Sequence, residues 1–227
     1  MKYDRDNYEI DTICPLWVDQ QVVRLIEHNT TILEIGCATG YIGRHLKQKM
    51  GCKIYGIELD KQSAEKAIQY YEKIFIADVE NEDILKGLQT KYDYILCMNV
   101  VEHLKKPEIA IIKLKELLKD NGYMILTIPN IAHFSIRLKI LFGNFKYEEY
   151  GILDCDHIKF FTLKSIKELI KESGLLIEHF SIDPDNGIPK FHGLLLRLPG
   201  GVAFLRMFYS FFPRFFGYQF IFKLRKA

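Results

Sequence analysis

The chain lacks the sequence features of secreted, disulfide-rich and membrane-spanning proteins. Its 227 residues include five cysteines, and no two of them form a Cys-x-x-Cys pair. Such scattered cysteines argue against a disulfide framework or a zinc site and favour a reducing compartment. The sequence shows no apolar signal region and no apolar run of about 18 residues. We therefore expect a cytoplasmic protein without a membrane-spanning helix.

Acidic residues are absent from the end of the chain, where every charged residue after Asp185 is a lysine or an arginine. Many phenylalanines accompany these cations between residues 191 and 222. This mixture is typical of an interfacial surface, so peripheral contact with an anionic membrane is one prediction. The alternative is a pair of helices that packs on the sheet edge, on the substrate pocket or against a second subunit in a dimer. We expect no nucleic acid partner, because no recognition motif accompanies the charges.

Short apolar segments alternate with amphipathic segments over residues 31–129. This alternation predicts βαβ units, and hence a parallel sheet with helices on both faces. One of the helices is predicted over Pro107–Lys119 and is expected to end at Asn121-Gly122. The five strands predicted in this half are Thr31–Ile35, Lys53–Ile57, Lys73–Ala77, Tyr92–Cys97 and Tyr123–Ile128.

The pattern changes after Pro129. Residues 130–160 show no clear periodicity, and Thr162 is then expected to cap a helix that Gly174 ends. Two more strands are predicted, Leu175–Ile182 and Tyr218–Leu224, with an aromatic-rich helical stretch between them.

A turn rich in small residues follows the first predicted strand and leads into a helix, whose first N–H groups can face a ligand. A dinucleotide-binding turn needs the spacing Gly-x-Gly-x-x-Gly, whereas the glycines here are Gly36, Gly40 and Gly43. Glu34 would repel a pyrophosphate, but it suits a ligand that carries an ammonium and a sulfonium group. We therefore expect S-adenosylmethionine rather than NAD(P), which makes an oxidoreductase the disfavoured alternative.

Two further acids follow the next two strands. Glu58 ends the second strand, where a carboxylate accepts hydrogen bonds from ribose hydroxyls in nucleotide-binding folds. Asp78 follows the third strand and is placed to hold an adenine amino group. Asp78 alone could be a helix cap, but together the two acids extend the predicted site.

Four segments, Leu33–Gly40, Gly56–Leu59, Ala77-Asp78 and Asn99–Leu104, resemble the successive motifs of class I S-adenosylmethionine-dependent methyltransferases. The resemblance implies a Rossmann-like α/β fold with a seven-stranded, mostly parallel sheet, an antiparallel last strand, and helical insertions after strands 5 and 6. S-adenosylhomocysteine would be the product. The residues implied to bind the cofactor are Glu34, Gly36, Cys37, Ala38, Gly40, Tyr41, Glu58, Leu59, Asp78, Val79, Asn99 and Val100.

Two residues depart from the family pattern. Ala38 stands where the family more often has glycine, and we expect it to be tolerated if its φ angle is negative. Asn99 stands where many relatives carry an acid, yet its amide can still hydrogen-bond to the methionyl part of the cofactor.

The resemblance continues into the second half of the chain. Four further segments are similar to a subgroup associated with bacterial surface-polysaccharide and secondary-metabolite assembly: Ile128–His133, Leu141–Tyr147, Gly151–His157 and Phe160–Thr162. We expect one methyltransferase domain over residues 1–227. Within it, 1–30 would form an N-terminal helical cap, 31–129 the cofactor-binding half and 130–227 the substrate-binding half.

Methyl transfer from a sulfonium requires an aligned nucleophile and the removal of its proton, for which histidine is the natural base near neutral pH. The candidate bases are His157, His133 and His103, and His157 is preferred because it lies in the irregular segment. Asp154 or Asp156 could orient its ring. No metal is expected, because we see no ligand cluster of suitable spacing.

A histidine base favours an oxygen acceptor, so we predict O-methylation of a small molecule such as a sugar, a glycan precursor or a lipid-linked metabolite. N-methylation stays open, because nitrogen needs no strong base. A non-catalytic module that binds S-adenosylmethionine and a partner protein is a further alternative.

Overall fold

The strands form one seven-stranded sheet in a computed structural model that describes residues 8–81, 84, 87, 88, 90–184 and 189–227. Side chains are described for all of these residues except 189–192. The strands are β1 (Thr31–Ile35), β2 (Lys53–Glu58), β3 (Lys73–Ile76), β4 (Tyr92–Met98), β5 (Leu118–Pro129), β6 (Leu175–Asp183) and β7 (Gln219–Lys226).

The sheet order is β3-β2-β1-β4-β5-β7-β6. Strands β1 to β5 pair in parallel, whereas β7 lies antiparallel between β5 and β6. This arrangement confirms the predicted mostly parallel sheet with an antiparallel last strand. The order of the strands reverses between β1 and β4, and the crevice outside the carboxyl ends of these strands is where open α/β sheets bind ligands.

The core covers both faces of the sheet because side chains alternate along each strand. On β1, Leu33 and Ile35 pack into one apolar cluster, while Ile32 packs into a second cluster. All three side chains are buried. Burial on both faces explains why the central strands read as continuous apolar runs in the sequence.

Helices connect the strands and insert after β5 and β6, as predicted. The helices are α1 (Val18–Val23), α2 (Tyr41–Met50), α3 (Lys61–Ala67), α4 (Pro107–Glu116), α5 (Phe134–Leu141), α6 (Leu163–Glu172), α7 (Pro189–Leu196), α8 (Gly201–Phe211) and α9 (Pro213–Phe216). The predicted cap of α6 is confirmed, since the Thr162 side chain accepts a hydrogen bond from the Ser165 N–H at 3.2 Å.

The end predicted for α4 is wrong. The helix ends at Glu116 rather than Lys119, because Leu118 already pairs with Tyr92 of β4. Gly122 therefore lies inside β5, next to an irregularity in the register, where a Cβ would lie 2.8 Å from the Tyr92 carbonyl oxygen. Strand pairing therefore overrides the helical periodicity at residues 118 and 119, which lie in β5 and not in α4.

The aromatic-rich segment forms α7, α8 and α9, and leaves several large apolar side chains exposed. The exposed residues of α8 and the turn after it include Phe204, Met207, Phe211 and Phe212. The side chains of residues 191 and 192 in the predicted interfacial segment, and residues 1–7 of the predicted N-terminal cap, lie outside the described part of the structure. Among the described helices, none has the length and apolarity needed to cross a membrane.

Candidate cofactor and acceptor site

The glycine turn lies at the carboxyl end of β1 and begins α2. Gly36 and Gly40 have φ angles of +68° and +81°, in the left-handed region that side chains with a Cβ rarely adopt. A Cβ on Gly36 would also lie 2.9 Å from Cγ2 of Val100. The turn therefore packs directly against the segment that follows β4.

Ala38 lies in the middle of this turn with a φ of +46°. The negative φ on which its tolerance was made conditional is therefore absent. Its N–H donates a hydrogen bond of 2.7 Å to the Glu58 carboxylate, and this contact fixes the turn in a conformation that costs about 1–2 kcal/mol for an L residue. Glycine, which the family more often has here, would adopt the same conformation without that cost.

We expect Ala38→Gly to raise the free energy of unfolding by about 0.5–1 kcal/mol, because relief of the left-handed strain exceeds the added entropy of the unfolded chain. Urea unfolding measures the change. The matched control is Ala64→Gly inside α3, where φ is helical, and it should lower the same free energy by about 1 kcal/mol or more. Equal destabilisation by both substitutions would contradict the argument.

Glu58 connects the turn to the end of β2. Its second carboxylate oxygen accepts a 2.9 Å hydrogen bond from the Asp60 N–H, and Asp60 in turn caps α3 by accepting from the Ser63 N–H at 2.8 Å. Each carboxylate oxygen has two lone pairs, so Glu58 keeps acceptor capacity for hydroxyl groups. The carboxylate is thus held in place before any ligand arrives.

Glu34 is buried beneath the turn. The Tyr71 hydroxyl donates a 2.7 Å hydrogen bond to its carboxylate. A Cβ on Gly43 would lie 2.4 Å from the Tyr71 hydroxyl, so the third glycine of the motif makes room for the ring that reaches Glu34. The sequence motifs did not identify Tyr71, although the glycine at position 43 was a sign that a bulky side chain packs there.

Burial raises the pKa of Glu34 to about 8, and the nearby Asp19 and Glu58 charges add to this effect, while the Tyr71 hydrogen bond opposes it. Near neutral pH the carboxyl group is therefore mostly protonated. A cation placed beside it would favour the carboxylate, because an opposite charge stabilises the ionised form.

The predicted adenine-side residues follow β2 and β3. Leu59 is 70% exposed, Asp78 is also exposed, and Val79 is buried beneath them. The Asp78 carboxylate accepts a 2.8 Å hydrogen bond from the Glu80 N–H, which holds it at the end of β3. An exposed apolar side chain such as Leu59 can pack on the face of an adenine ring, and an anchored carboxylate such as Asp78 can accept a hydrogen bond from its amino group.

Asn99 directly follows β4 and has a φ of +53°, a conformation that asparagine tolerates better than most residues. The Thr127 hydroxyl donates to its side-chain oxygen at 3.3 Å. Of the remaining predicted residues, Cys37 is buried, and this burial raises the pKa of its thiol well above the ordinary value. The Tyr41 hydroxyl lies 3.4 Å from a carboxylate oxygen of Asp19 on α1.

The chain brings His103 and His157 together although they are distant in sequence. Their rings are 4.8 Å apart, and Nδ1 of His103 lies 3.0 Å from the Asp156 carbonyl oxygen. Nδ1 of His157 lies 3.1 Å from the Ile152 carbonyl oxygen, which favours the tautomer with the proton on Nδ1. Nε2 of His157 is 3.9 Å from the Glu102 carboxylate.

Glu102 is 1% exposed, and neither of its side-chain oxygens has a hydrogen-bond partner among the described residues. Burial raises its pKa to about 8. Sequence reasoning missed Glu102 as a site residue and considered Asp154 and Asp156 as the partners of His157. The signal for it was the acid directly before His103 within the Asn99–Leu104 motif.

His133 lies apart from this pair. Its Nδ1 is 2.8 Å from the Ser135 hydroxyl, and its buried Nε2 has no hydrogen-bond partner among the described residues. Burial lowers its pKa to about 4, which makes it a weaker base near neutral pH than an unperturbed histidine.

Glu102, His103 and His157 each place one potential ligand atom within 4.8 Å of the others. Sequence spacing did not indicate this group, because His157 joins it only through the fold. Two imidazoles and a carboxylate could hold a divalent transition metal. The prediction that no metal takes part remains a prediction.

Comparisons with known proteins show the family of the chain. A family model described as a methyltransferase domain matches residues 13–180. The ubiquinone biosynthesis O-methyltransferase of Leptothrix cholodnii is 22% identical over 180 residues, which are 77% of this chain and 75% of that protein. The ubiquinone biosynthesis O-methyltransferase of Thiobacillus denitrificans is 22% identical over 82% of this chain and 81% of its own length.

A solved structure shows the same fold at low identity. The putative S-adenosylmethionine dependent methyltransferase from Listeria monocytogenes has a TM-score of 0.60 at 13% identity, and the likeness covers 91% of this chain and 95% of that one. The family model covers well over half of the chain. The protein therefore belongs to this methyltransferase-domain family, and S-adenosylmethionine is its methyl donor.

Proposed function

We propose that this enzyme transfers the methyl group of S-adenosylmethionine to a hydroxyl oxygen of a small molecule, with His157 as the base. The observation that carries the proposal is the His157–Glu102 pair. Glu102 belongs to the same Asn99–Leu104 motif as Val100, which packs against Gly36 of the cofactor turn. A base next to the methyl donor is what a hydroxyl acceptor needs. Nitrogen acceptors do not require one.

The cofactor would lie over the carboxyl ends of β1, β2 and β4. Glu34 would attract its ammonium group, Glu58 would accept from the ribose hydroxyls, and Leu59 and Asp78 would hold the adenine. The exposed face of Leu59 and the spare lone pairs of Glu58 support these roles. The remaining backbone contacts would come from Gly36, Cys37, Ala38, Gly40, Tyr41, Val79, Asn99 and Val100.

The base would work through the buried pair. The Ile152 carbonyl holds the proton on Nδ1 of His157, so Nε2 is the ring nitrogen that carries the lone pair and would accept the hydroxyl proton. As the imidazolium forms, the Glu102 carboxylate 3.9 Å away stabilises its charge. The active form is then a neutral His157 beside an ionised Glu102. Turnover should rise with pH as Glu102 ionises, because burial raises the pKa of its carboxyl group to about 8.

The acceptor would be a sugar, a glycan precursor or a lipid-linked metabolite, of the kind used in bacterial polysaccharide or secondary-metabolite assembly. The names of the relatives, which are O-methyltransferases, support an oxygen acceptor. Residues 31–129 would bind the cofactor and 130–227 the acceptor within one domain. Residues 1–30 would form the cap, as the contact between Asp19 and Tyr41 suggests.

A labelled-methyl assay tests the acceptor class. The protein is incubated with methyl-labelled S-adenosylmethionine and panels of sugars, phenols and amines, and the products are identified by mass spectrometry. We expect label on hydroxyl oxygens. Label found only on amine nitrogens would overturn the oxygen assignment, and tight cofactor binding with no transfer to any panel would favour a non-catalytic module.

We also propose that the enzyme is cytoplasmic and contacts the surface of a membrane through α8, α9 and the turn between them. Phe211 and Phe212 are exposed at the turn, and Arg206 and Arg214 are exposed on the two helices. No acid follows Asp185 in the chain. Exposed aromatic rings among arginines fit an anionic lipid surface, since the rings enter the interface while the cations meet the head groups.

Co-sedimentation with vesicles tests the membrane contact. We expect the protein to bind phosphatidylcholine vesicles that contain phosphatidylglycerol, and the variant Phe211→Ser/Phe212→Ser to bind several-fold more weakly. The control is Ile109→Ser/Ile112→Ser, which removes two exposed apolar side chains from α4. Absence of vesicle binding, together with a dimeric mass in sedimentation equilibrium that the Phe211→Ser/Phe212→Ser variant abolishes, would instead assign this surface to a dimer.

A further inference from the structure

A basic cavity lies between the start of α5, the start of α6 and α9. Its volume is about 220 Å³, and the three cations Arg137, Lys164 and Arg214 line it together with Ala132, Thr162 and Leu163. No acid is among these described lining residues. Neither the predicted cofactor contacts nor the candidate base pair uses any of the three cations.

The walls of the cavity are fixed by buried contacts. The side-chain amide of Asn130, which is fully buried, donates to the carbonyl oxygens of Gly217 at 2.8 Å and Arg214 at 3.2 Å. Phe134 of α5 stacks on Phe215 of α9 with ring centroids 5.6 Å apart. These contacts hold α5 and α9 together, and with them the backbone positions of Arg137 and Arg214.

The cations themselves are poorly neutralised. Nε of Arg137 donates a 2.6 Å hydrogen bond to the Ala132 carbonyl oxygen, which orients the guanidinium at the cavity without cancelling its charge. Lys164 lies 3.9 Å from Glu168 in an exposed pair, which contributes little. Arg137 and Arg214 form no ion pair with a described residue. The first turn of α6 adds the positive end of a helix dipole beside Thr162 and Leu163.

We propose that this cavity binds a phosphate group. Two guanidinium groups can each offer two parallel N–H donors to phosphate oxygens, and an ammonium group adds a third charge. The volume is sufficient for a phosphate with part of the group that carries it. Either a soluble phosphorylated metabolite or the head group of a membrane phospholipid can supply this phosphate. The inference goes beyond the proposed acceptor and does not depend on the identity of the base.

Thermal unfolding of the full chain tests the site. The unfolding temperature is measured as inorganic phosphate replaces chloride at constant ionic strength. A ligand that binds only the folded state raises the unfolding temperature. We expect this rise for the wild-type protein, and a half-saturating phosphate concentration at least tenfold higher for Arg137→Gln/Arg214→Gln. The matched control is Arg24→Gln/Lys53→Gln, which makes the same charge change at exposed positions outside the cavity and should behave as the wild type.

Two further arms identify the source of the phosphate. Glycerol 3-phosphate competes if the site takes soluble phosphomonoesters, whereas phosphatidylcholine vesicles with phosphatidic acid, and not those without it, bind if the site takes lipid head groups. Both results support the site when Arg137→Gln/Arg214→Gln weakens the binding. If this variant fails to fold, Lys164→Gln replaces it, since that side chain is 82% exposed. Equal phosphate dependence in the cavity variant and the control would overturn the proposal.

Discussion

His157→Gln should lower the turnover number by about 10²–10⁴-fold, which is the usual contribution of a positioned base. The affinity for S-adenosylhomocysteine should stay within twofold, because the candidate cofactor residues surround the Gly36 turn and do not include His157. Single-turnover kinetics and calorimetry measure the two quantities. His179→Gln on β6, an exposed histidine at the sheet edge, is the matched control and should keep full activity. Full turnover in His157→Gln would remove it from the mechanism.

Glu102→Gln separates positioning from structure. It should slow turnover and flatten the rise in rate near pH 8, because the group that ionises there is gone. Although Glu102→Gln should lower turnover, we expect it to raise the stability of the folded protein. The folded-state pKa of Glu102 is raised, so its stabilising contribution is present below about pH 4.5 and is lost as the pH rises to about 8. The variant should therefore unfold at a higher temperature than the wild type at pH 8, and a merely structural glutamate would not change the pH profile.

Glu34→Gln should weaken the binding of S-adenosylhomocysteine by about 10–100-fold, because a charge-assisted hydrogen bond contributes about 1.5–3 kcal/mol. The ligand ammonium would meet a neutral amide instead of a carboxylate. Since the pKa of Glu34 is about 8 in the free protein, this carboxyl group must lose its proton when the ammonium arrives. Binding at pH 7 should therefore release nearly one proton per site.

Calorimetry in two buffers of different ionisation enthalpy measures this proton. The wild-type protein should show the release and Glu34→Gln should not. Glu58→Gln is the control, because it also removes a carboxylate from the predicted site but leaves Glu34 in place, so affinity should fall while the proton release remains. The same proton count for Glu34→Gln and the wild type would show that Glu34 does not meet the ammonium group.

Local patterns in the sequence were sufficient for much of the cofactor half. The turn between Gly36 and Gly40, the acid at Glu58 and the capped start of α6 at Thr162 depend on backbone preferences that act over a few residues. The alternation of strands and helices likewise predicted the parallel sheet, because buried strands must be apolar on both faces. The resemblance to the family motifs then indicated which cofactor this half binds.

Tertiary contacts decided what local preferences could not. Leu118 lies in β5 because it pairs with Tyr92 of β4. Ala38 has a positive φ because its N–H donates to Glu58, which is 20 residues away. The Tyr71 hydroxyl reached Glu34 only because Gly43 left room for the ring. In each case the deciding energy comes from a contact between residues that are distant in the chain.

The sequence by itself determined the fold class, the methyl donor and the turn that is predicted to receive it, since these follow from spacing within single βα units. Only the tertiary structure brought His157 to Glu102 and gathered Arg137, Lys164 and Arg214 around one cavity. Burial then raised the pKa of Glu34 and Glu102, because desolvation depends on the atoms that surround a group and not on its neighbours in sequence.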